Sequence, residues 1–362
     1  MSSSSDGARV AVVLSGWPRL SEVFALNELT ALHEAGMLAT ALALKNGESG
    51  PVHPAAARIG GLVEYVPPGD LAEQATFVAD LLIATQATGV HGYFAHDPAA
   101  VAAAAAEKVS LPFGFSVHAL DARKVRRADL ADRVRRAAVV LCCNSDAAAE
   151  VAAAGGRAEL IPHGVDLTAF PATPPPAAEP LNLLAVGRFV EKKGFDVLLD
   201  AFALVNRPVR LRLVGDGALR AELTDQVARL GVTDRVEFAD RLTHETLPGA
   251  YAAADIVVVP SVIDRRGDRD GLPNVVLEAM ASARPVVASA VSAIPSAVHH
   301  DRTGLLVPSR DPPALAAALT ELIDSPARRR ALGLGGRALV TREFELGRCT
   351  RRFCATLAAA YA

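Results

Sequence analysis

The sequence predicts an α/β protein of two parallel-sheet domains in series, and three observations carry that reading. Short runs of β-branched residues alternate with longer amphipathic stretches rich in Ala, Leu and Arg along almost all 362 residues. The alternation breaks once, at PATPPPAAEP (171–180), and then restarts. Hydrophobic residues make up 51% of the chain and charged residues 21%, which supplies apolar surface for two cores and argues against disorder.

Taken in order, RVAVVLSG (9–16) reads as a strand ending in a glycine turn, and SEVFALNELTALHEAG (21–36) as the helix that follows. HGYFAHDP (91–98) ends a strand just before a helix with Pro98 at its start, where Asp97 reads as an N-cap. FGFSVHAL (113–120) is a strand followed by the basic helical segment KVRRADLADRVRR (124–136), and AAVVLCCN (137–144) is a strand leading into DAAAEVAAAGG. Strand–helix alternation of this kind gives parallel sheets covered on both faces. Prolines 171–180 lack backbone donors and fix φ, so neither a helix nor a central strand survives there. The pattern restarts with LNLLAVGRF, VRLRLVGDG, RVEFADR, DIVVVPS, RPVVAS and GLLVPS. We therefore expect domains at 1–175 and 180–340, with a ligand at the carboxyl ends of the strands.

Composition narrows the function. A net charge of −3 gives no electrostatic support for nucleic acid. The opening MSSSSDGARV reads as a short disordered tail without the basic and apolar regions of a signal peptide, and no apolar run reaches the roughly 18–20 residues of a membrane span. A cytoplasmic protein without a transmembrane segment is expected. Cys142, Cys143, Cys349 and Cys354 have no zinc-site spacing and read as reduced structural thiols.

The segment VVVPSVIDRRGDRDGLPNVVLEAMASARPVVAS (257–289) is the most informative. A buried strand ends at Pro260, a polar loop follows, and a helix begins at Pro273 or Asn274. The free N–H groups and dipole of that first turn suit a diphosphate. Asp270 in the loop and Glu278 one turn into the helix can face the same strand-end cleft, where carboxylates accept from sugar and ribose hydroxyls. In LLAVGRFVEKKGFDVLLDAF (183–202), Gly187 lets a ligand approach the backbone, and Arg188 and Lys193 can clamp two phosphates.

These segments resemble the donor site of the retaining family 4 glycosyltransferases, which have the GT-B fold: two Rossmann-like domains whose parallel sheets face a central cleft. The family carries two acids separated by seven residues; here Asp270 stands where Glu is usual, and Glu278 is the second. The resemblance implies that Asp270 contacts the donor sugar and Glu278 the ribose. It makes GR-x4-KG, with Lys193 rather than Lys192 before Gly194, the phosphate loop. It implies further donor contacts at Gly215 in LVGDGALR, at Arg241 and Leu242, and at Leu272, Asn274 and Val275 beside the helix start. In the first domain, LSGWPRLSEVFALNEL (14–29) resembles members that build bacterial exopolysaccharides and aminoglycoside antibiotics. Gly16 is expected near donor phosphate or acceptor, with a simple tight turn as the alternative, and Trp17 and Arg19 on the acceptor side. FSVHALDARKV matches the family's His-x-x-Asp element: His118 is expected near the donor sugar and Asp121 beside the acceptor, with His96 also facing it. His163 in IPHGVD replaces the more usual Asn at the domain junction, and the last helix, about 340–362, is expected to return to the first domain.

The resemblance implies a retaining enzyme that moves a sugar from a nucleotide diphosphate sugar, UDP-linked by preference, without metal or other cofactor. Asp268-Arg269-Asp270 keeps a competing metal-binding reading open. Residues 1–180 hold 13 Lys/Arg against 19 Asp/Glu, a net of −6 that suits a small, polar, cationic acceptor such as an aminocyclitol or aminoglycoside pseudodisaccharide. Transfer to a lipid-linked exopolysaccharide or glycolipid intermediate is the alternative. A sugar-nucleotide epimerase and a non-catalytic nucleotide-sugar binder of the same architecture also stay open.

Overall fold

A computed structural model describes residues 7–19, 22–47, 56–118, 121–174, 179–243 and 245–362. The expected N-terminal tail (1–6), Leu20 and Ser21 at the first helix start, Ala119 and Leu120 of the His-x-x-Asp element, and residues 175–178 of the proline segment lie outside the described residues.

The chain divides into two compact units, Met1–Gly164 with Gly347–Ala362, and Val165–Leu346. The first contains β1 (Val10–Leu14), α1 (Val23–Glu34), β2 (Leu38–Ala43), α2 (Ala56–Gly60), β3 (Val63–Tyr65), α3 (Leu71–Ala84) and β4 (Gly89–Gly92). It continues with α4 (Asp97–Val109), β5 (Phe113–Val117), α5 (Arg127–Arg136), β6 (Val139–Cys142), α6 (Ser145–Ala153) and β7 (Glu159–Leu160). The second contains β8 (Leu181–Val186), α7 (Phe195–Leu204), β9 (Val209–Val214), α8 (Arg220–Arg229), β10 (Val236–Ala239), α9 (Leu247–Ala252) and β11 (Ile256–Val259). Then come α10 (Asn274–Ala281), β12 (Val286–Ser289), β13 (Leu305–Val307), α11 (Pro312–Asp324) and α12 (Pro326–Glu343), after which α13 (Leu346–Tyr361) belongs to the first unit.

Both sheets are Rossmann-like. Among the described residues the first has strand order β3-β2-β1-β4-β5-β6-β7 and the second β10-β9-β8-β11-β12-β13, and neighbouring strands are parallel throughout. Alternate residues of each strand bury on opposite faces. Val10, Val12 and Leu14 join one core of the first unit, and Ala11 and Val13 join the other. Leu183 and Ala185 face one core of the second unit while Leu184 faces the other. Continuous apolar strands are what helices on both faces require.

The division between units falls earlier than the proline segment. Val165 N–H donates to Phe344 O at 2.8 Å, and Phe170, fully buried, packs edge-on against Tyr251 with centroids 5.7 Å apart. The chain has therefore joined the second core before the prolines begin, and it leaves at Leu346 rather than at 340. The N-cap of α4 is His96, not Asp97; the Asp97 side chain is 84% exposed as the first helical residue. None of the described helices is long and apolar enough to cross a membrane.

Candidate functional site

In each sheet the strand order reverses once, between β1 and β4 and between β8 and β11. Such switch points open a crevice at the strands' carboxyl ends, because the flanking connections leave in opposite directions. In the second unit that crevice holds a small pocket lined by Val186, Lys193, Phe195, Pro260, Ser261 and Pro273. Gly187 follows β8, and Gly194 ends the short 3-10 turn that carries Lys193. Gly194 has φ +64°, and a Cβ there would lie 2.0 Å from the Pro260 carbonyl oxygen. Only glycine lets the phosphate-loop candidate pack this closely on the end of β11.

Lys193 Nζ donates to Asp270 Oδ2 at 2.6 Å. Lys192 Nζ lies 3.1 Å from Asp268 Oδ2 and 3.4 Å from Asp270 Oδ1, so both lysines serve this loop. Burial acts to raise the Asp270 carboxyl, but the ammonium groups of Lys193 and Lys192 outweigh it and hold it below its ordinary value. Glu278 accepts from Tyr251 Oη at 2.7 Å. Burial raises Glu278, opposed by the Tyr251 hydrogen bond and the Lys193 charge. The N-terminus of α10 has Pro273 as its cap, with no side-chain hydrogen bond and no acid in its first turn. The Val276 N–H is taken by the Pro273 carbonyl at 3.0 Å, so the Asn274 and Val275 N–H groups are the ones left at the pocket rim.

Asp268 and Asp270 are joined to lysine ammonium groups, and among the described residues no group of three or more His, Cys, Asp or Glu converges as a metal site would. The Arg188 side chain is exposed and makes no hydrogen bond or ion pair among the described residues. Gly215 approaches the Gly187 carbonyl, where a Cβ would lie 1.9 Å from the oxygen, and Arg220 donates to Asp240 at 3.0 Å just before Arg241. Arg241 is exposed, while Leu242, Leu272 and Val275 pack on the apolar core beneath the loop and Asn274 is exposed.

In the first unit, Gly16 sits close to the chain just after β2, where a Cβ would meet Lys45 O at 3.1 Å. Trp17 is 7% exposed and Arg19 is paired with Glu22 at 2.8 Å. His118 is buried among Phe24, Tyr93, Phe94 and His163. Asp121 does not reach outward. Its two oxygens accept from the Ala95 and His118 backbone N–H groups at 2.7 Å each, tying the β4 and β5 loops together. Burial pushes its carboxyl up to about 7 against the pull of those hydrogen bonds. His96 stacks on Phe94 and is lowered by burial, with Asp97 opposing. The basic run is not a free cationic patch: on α5, Arg135 pairs with Asp132 and Arg136 with Glu107, and Arg126 before it pairs with Asp129.

Comparison with known proteins fits this geometry to a family. Residues 180–325 match the family of glycosyl transferases group 1, and residues 21–169 match glycosyltransferase family 4. The chain belongs to the family 4 glycosyltransferases. Its sequence is 34% identical over 169 residues to the amylovoran biosynthesis glycosyltransferase AmsK of Erwinia amylovora, covering 46% of this chain and 42% of AmsK. It is 33% identical over 201 residues to the GDP-mannose-dependent α-(1-6)-phosphatidylinositol monomannoside mannosyltransferase of Mycobacterium tuberculosis, covering 51% of this chain and 52% of that protein. The matched region thus spans about half the length of these relatives. In fold the chain is similar to Anabaena HepE, solved in complex with UDP: TM-score 0.83 at 21% identity, over 97% of this chain and 100% of HepE. The architecture of this family 4 member is GT-B.

Two residues, one in each unit, had no sequence signal. Tyr251 holds Glu278 from α9, 27 residues away, and Glu28 on α1 holds His163 from 135 residues away. Neither lies in a spaced motif with its partner.

Proposed function

We propose that this family 4 glycosyltransferase takes a sugar from a nucleotide diphosphate sugar bound at the β8/β11 switch point and passes it to a saccharide hydroxyl of a polysaccharide or glycolipid intermediate. The observation that carries the donor half is the joined set Lys193–Asp270 and Tyr251–Glu278 beside the uncapped start of α10. An ammonium has three N–H donors, so Lys193 can keep Asp270 and still meet a phosphate oxygen. With the exposed Arg188 guanidinium and the α10 N–H groups it offsets the charge that develops on the departing diphosphate. Glu278 and Asp270 accept from the hydroxyls of ribose and sugar, which fixes the anomeric carbon for attack. This reading needs no metal and no other cofactor, and as in the family the anomeric configuration is retained. UDP is the favoured nucleotide, supported by the UDP-bound fold relative; GDP is the alternative, supported by the GDP-mannose-dependent relative.

For the acceptor, the charge argument changes once the folded unit is counted. Residues 1–164 with 347–362 hold 16 Lys/Arg and 17 Asp/Glu, a net of −1 rather than −6, because α13 brings three arginines and Asp166 and Glu179 fall outside. The support for a cationic aminocyclitol acceptor weakens accordingly, and the relatives' names favour a polysaccharide or phosphatidylinositol-linked saccharide. The test is transfer from labelled UDP-glucose and GDP-mannose to a detergent-solubilised lipid-linked saccharide and, separately, to a pseudodisaccharide amine without detergent. Label in the lipid-linked product supports the proposal. Label only in the amine returns the cationic reading.

A further inference from the structure

We infer that Glu28 is a positioning residue that, through His163 and Tyr93, fixes the ring of His118 on the carboxyl edge of the first sheet. This rests on the proposed transferase reading together with the family resemblance, which sets His118 near the donor sugar. Glu28 is 3% exposed, an unusual place for a carboxylate unless both oxygens are used. They are. Oε1 accepts from His163 Nδ1 at 2.9 Å, and Oε2 accepts from the Tyr93 hydroxyl. His163 lies stacked 5.0 Å from His118 with planes 12° apart, and Tyr93 lies 5.1 Å away and tilted. Phe24, one turn before Glu28 on α1, stacks on His163 at 4.2 Å and closes the cage. His118 Nδ1 is buried without a hydrogen-bond partner among the described residues, so no bond of its own orients the ring; the cage does.

Charge follows the same arrangement. Facing His163 are Glu28 from α1, Cys143 beyond β6 and His118 beyond β5; Tyr93 beyond β4, with His91 and His96, faces His118. Burial works against a charge on His163, but Cys143 and Glu28 outweigh it and push it up to about 10. Burial, and then the His163 charge, hold His118 well below its ordinary value. A protonated His163 thus stands against a neutral His118.

The test follows ring ¹⁵N signals and kinetics of wild type and Glu28→Gln, with circular dichroism and thermal unfolding of the variant as the folding control and UDP or GDP binding as the check on the donor site. Wild-type His163 is expected to stay protonated to pH 9, and in Glu28→Gln to become neutral below that. The variant's kcat should fall roughly 10²-fold, the scale of a displaced catalytic group, with donor KM within about twofold. If Glu28→Gln does not fold, Tyr93→Phe and His163→Asn carry the test, His163→Asn recovering most of the rate lost in His163→Leu. His163 titrating near 6.5 in wild type, or an unchanged kcat in folded Glu28→Gln, overturns the inference. Lost nucleotide binding in wild type would instead overturn the transferase reading and leave the ring signals to judge this one.

Discussion

Asp270 is 14% exposed, and a carboxylate at that depth is stable only with its cations in place. Lys193→Met leaves Lys192, at 3.4 Å, as the remaining partner. We expect a loss of about 2–3 kcal/mol in thermal unfolding, less than the roughly 3–5 kcal/mol of a fully orphaned buried charge, and loss of measurable nucleotide binding. The pH dependence has a definite sign. Asp270 is held below its ordinary 3.8, so the pair's stabilisation is complete above that pH and is lost as pH falls through the lower folded value. Acid unfolding of Lys193→Met, compared with wild type below pH 4, reads this directly. At Glu278 the hydroxyl of Tyr251 opposes burial, so Tyr251→Phe raises the carboxyl further. Nucleotide affinity should fall about tenfold, one charge-assisted hydrogen bond, and more at acidic pH than at alkaline pH. Asp270, Glu278 and Lys193 were legible because their chemistry sits at fixed spacing within a strand–loop–helix. Tyr251 was not, because a hydroxyl on a separate helix leaves no local pattern.

Elements show why some residues in the motifs are there. The sequence suggested that Gly187 admits a ligand to the backbone; Gly194 beside it answers to packing, with its left-handed φ and the Pro260 carbonyl against it. Gly194→Ala should therefore shift the loop off β11 and cost both stability and nucleotide affinity, measured by thermal unfolding and calorimetry. At α13 the sequence predicts a returning helix but not its anchor. Cβ atoms at Gly89 and Gly114 would lie 2.4 Å and 2.6 Å from atoms of Tyr361, so these strand glycines form the slot for its ring. The Tyr361 hydroxyl contacts His91 Nδ1 at 3.0 Å, while His91 Nε2 contacts Ser116 Oγ at 2.8 Å. Burial pushes His91 down to about 3, so the ring is neutral and one nitrogen donates while the other accepts. Tyr361→Phe leaves that buried nitrogen unpaired and should cost about 1–3 kcal/mol in thermal unfolding. Asp121 shows the limit of motif reading: its pattern named it, but which atoms its carboxylate meets depends on Ala95, 26 residues earlier.

At the scale of the whole molecule, alternation of strand and helix fixed two parallel sheets in advance, because period and composition report burial on both faces. The boundary was not legible from the proline segment, because it lies before that segment, at Gly164 and Val165. Proline marks where regular structure stops, whereas the division depends on which core Val165 and Phe170 join. That shift, with α13, moves the first unit's net charge from −6 to −1, and so changes the acceptor the chain is expected to meet. The central claim is a donor site in the second unit built on lysine, carboxylate and helix N-terminus. It is tested most directly by calorimetry of UDP and GDP in the presence of EDTA, on wild type and Glu278→Ala. One nucleotide is expected to bind wild type in the micromolar range and the variant to lose at least about tenfold, as removal of a carboxylate–hydroxyl contact implies. Binding that appears only after magnesium or manganese is added, or that is equal in both proteins, would contradict it.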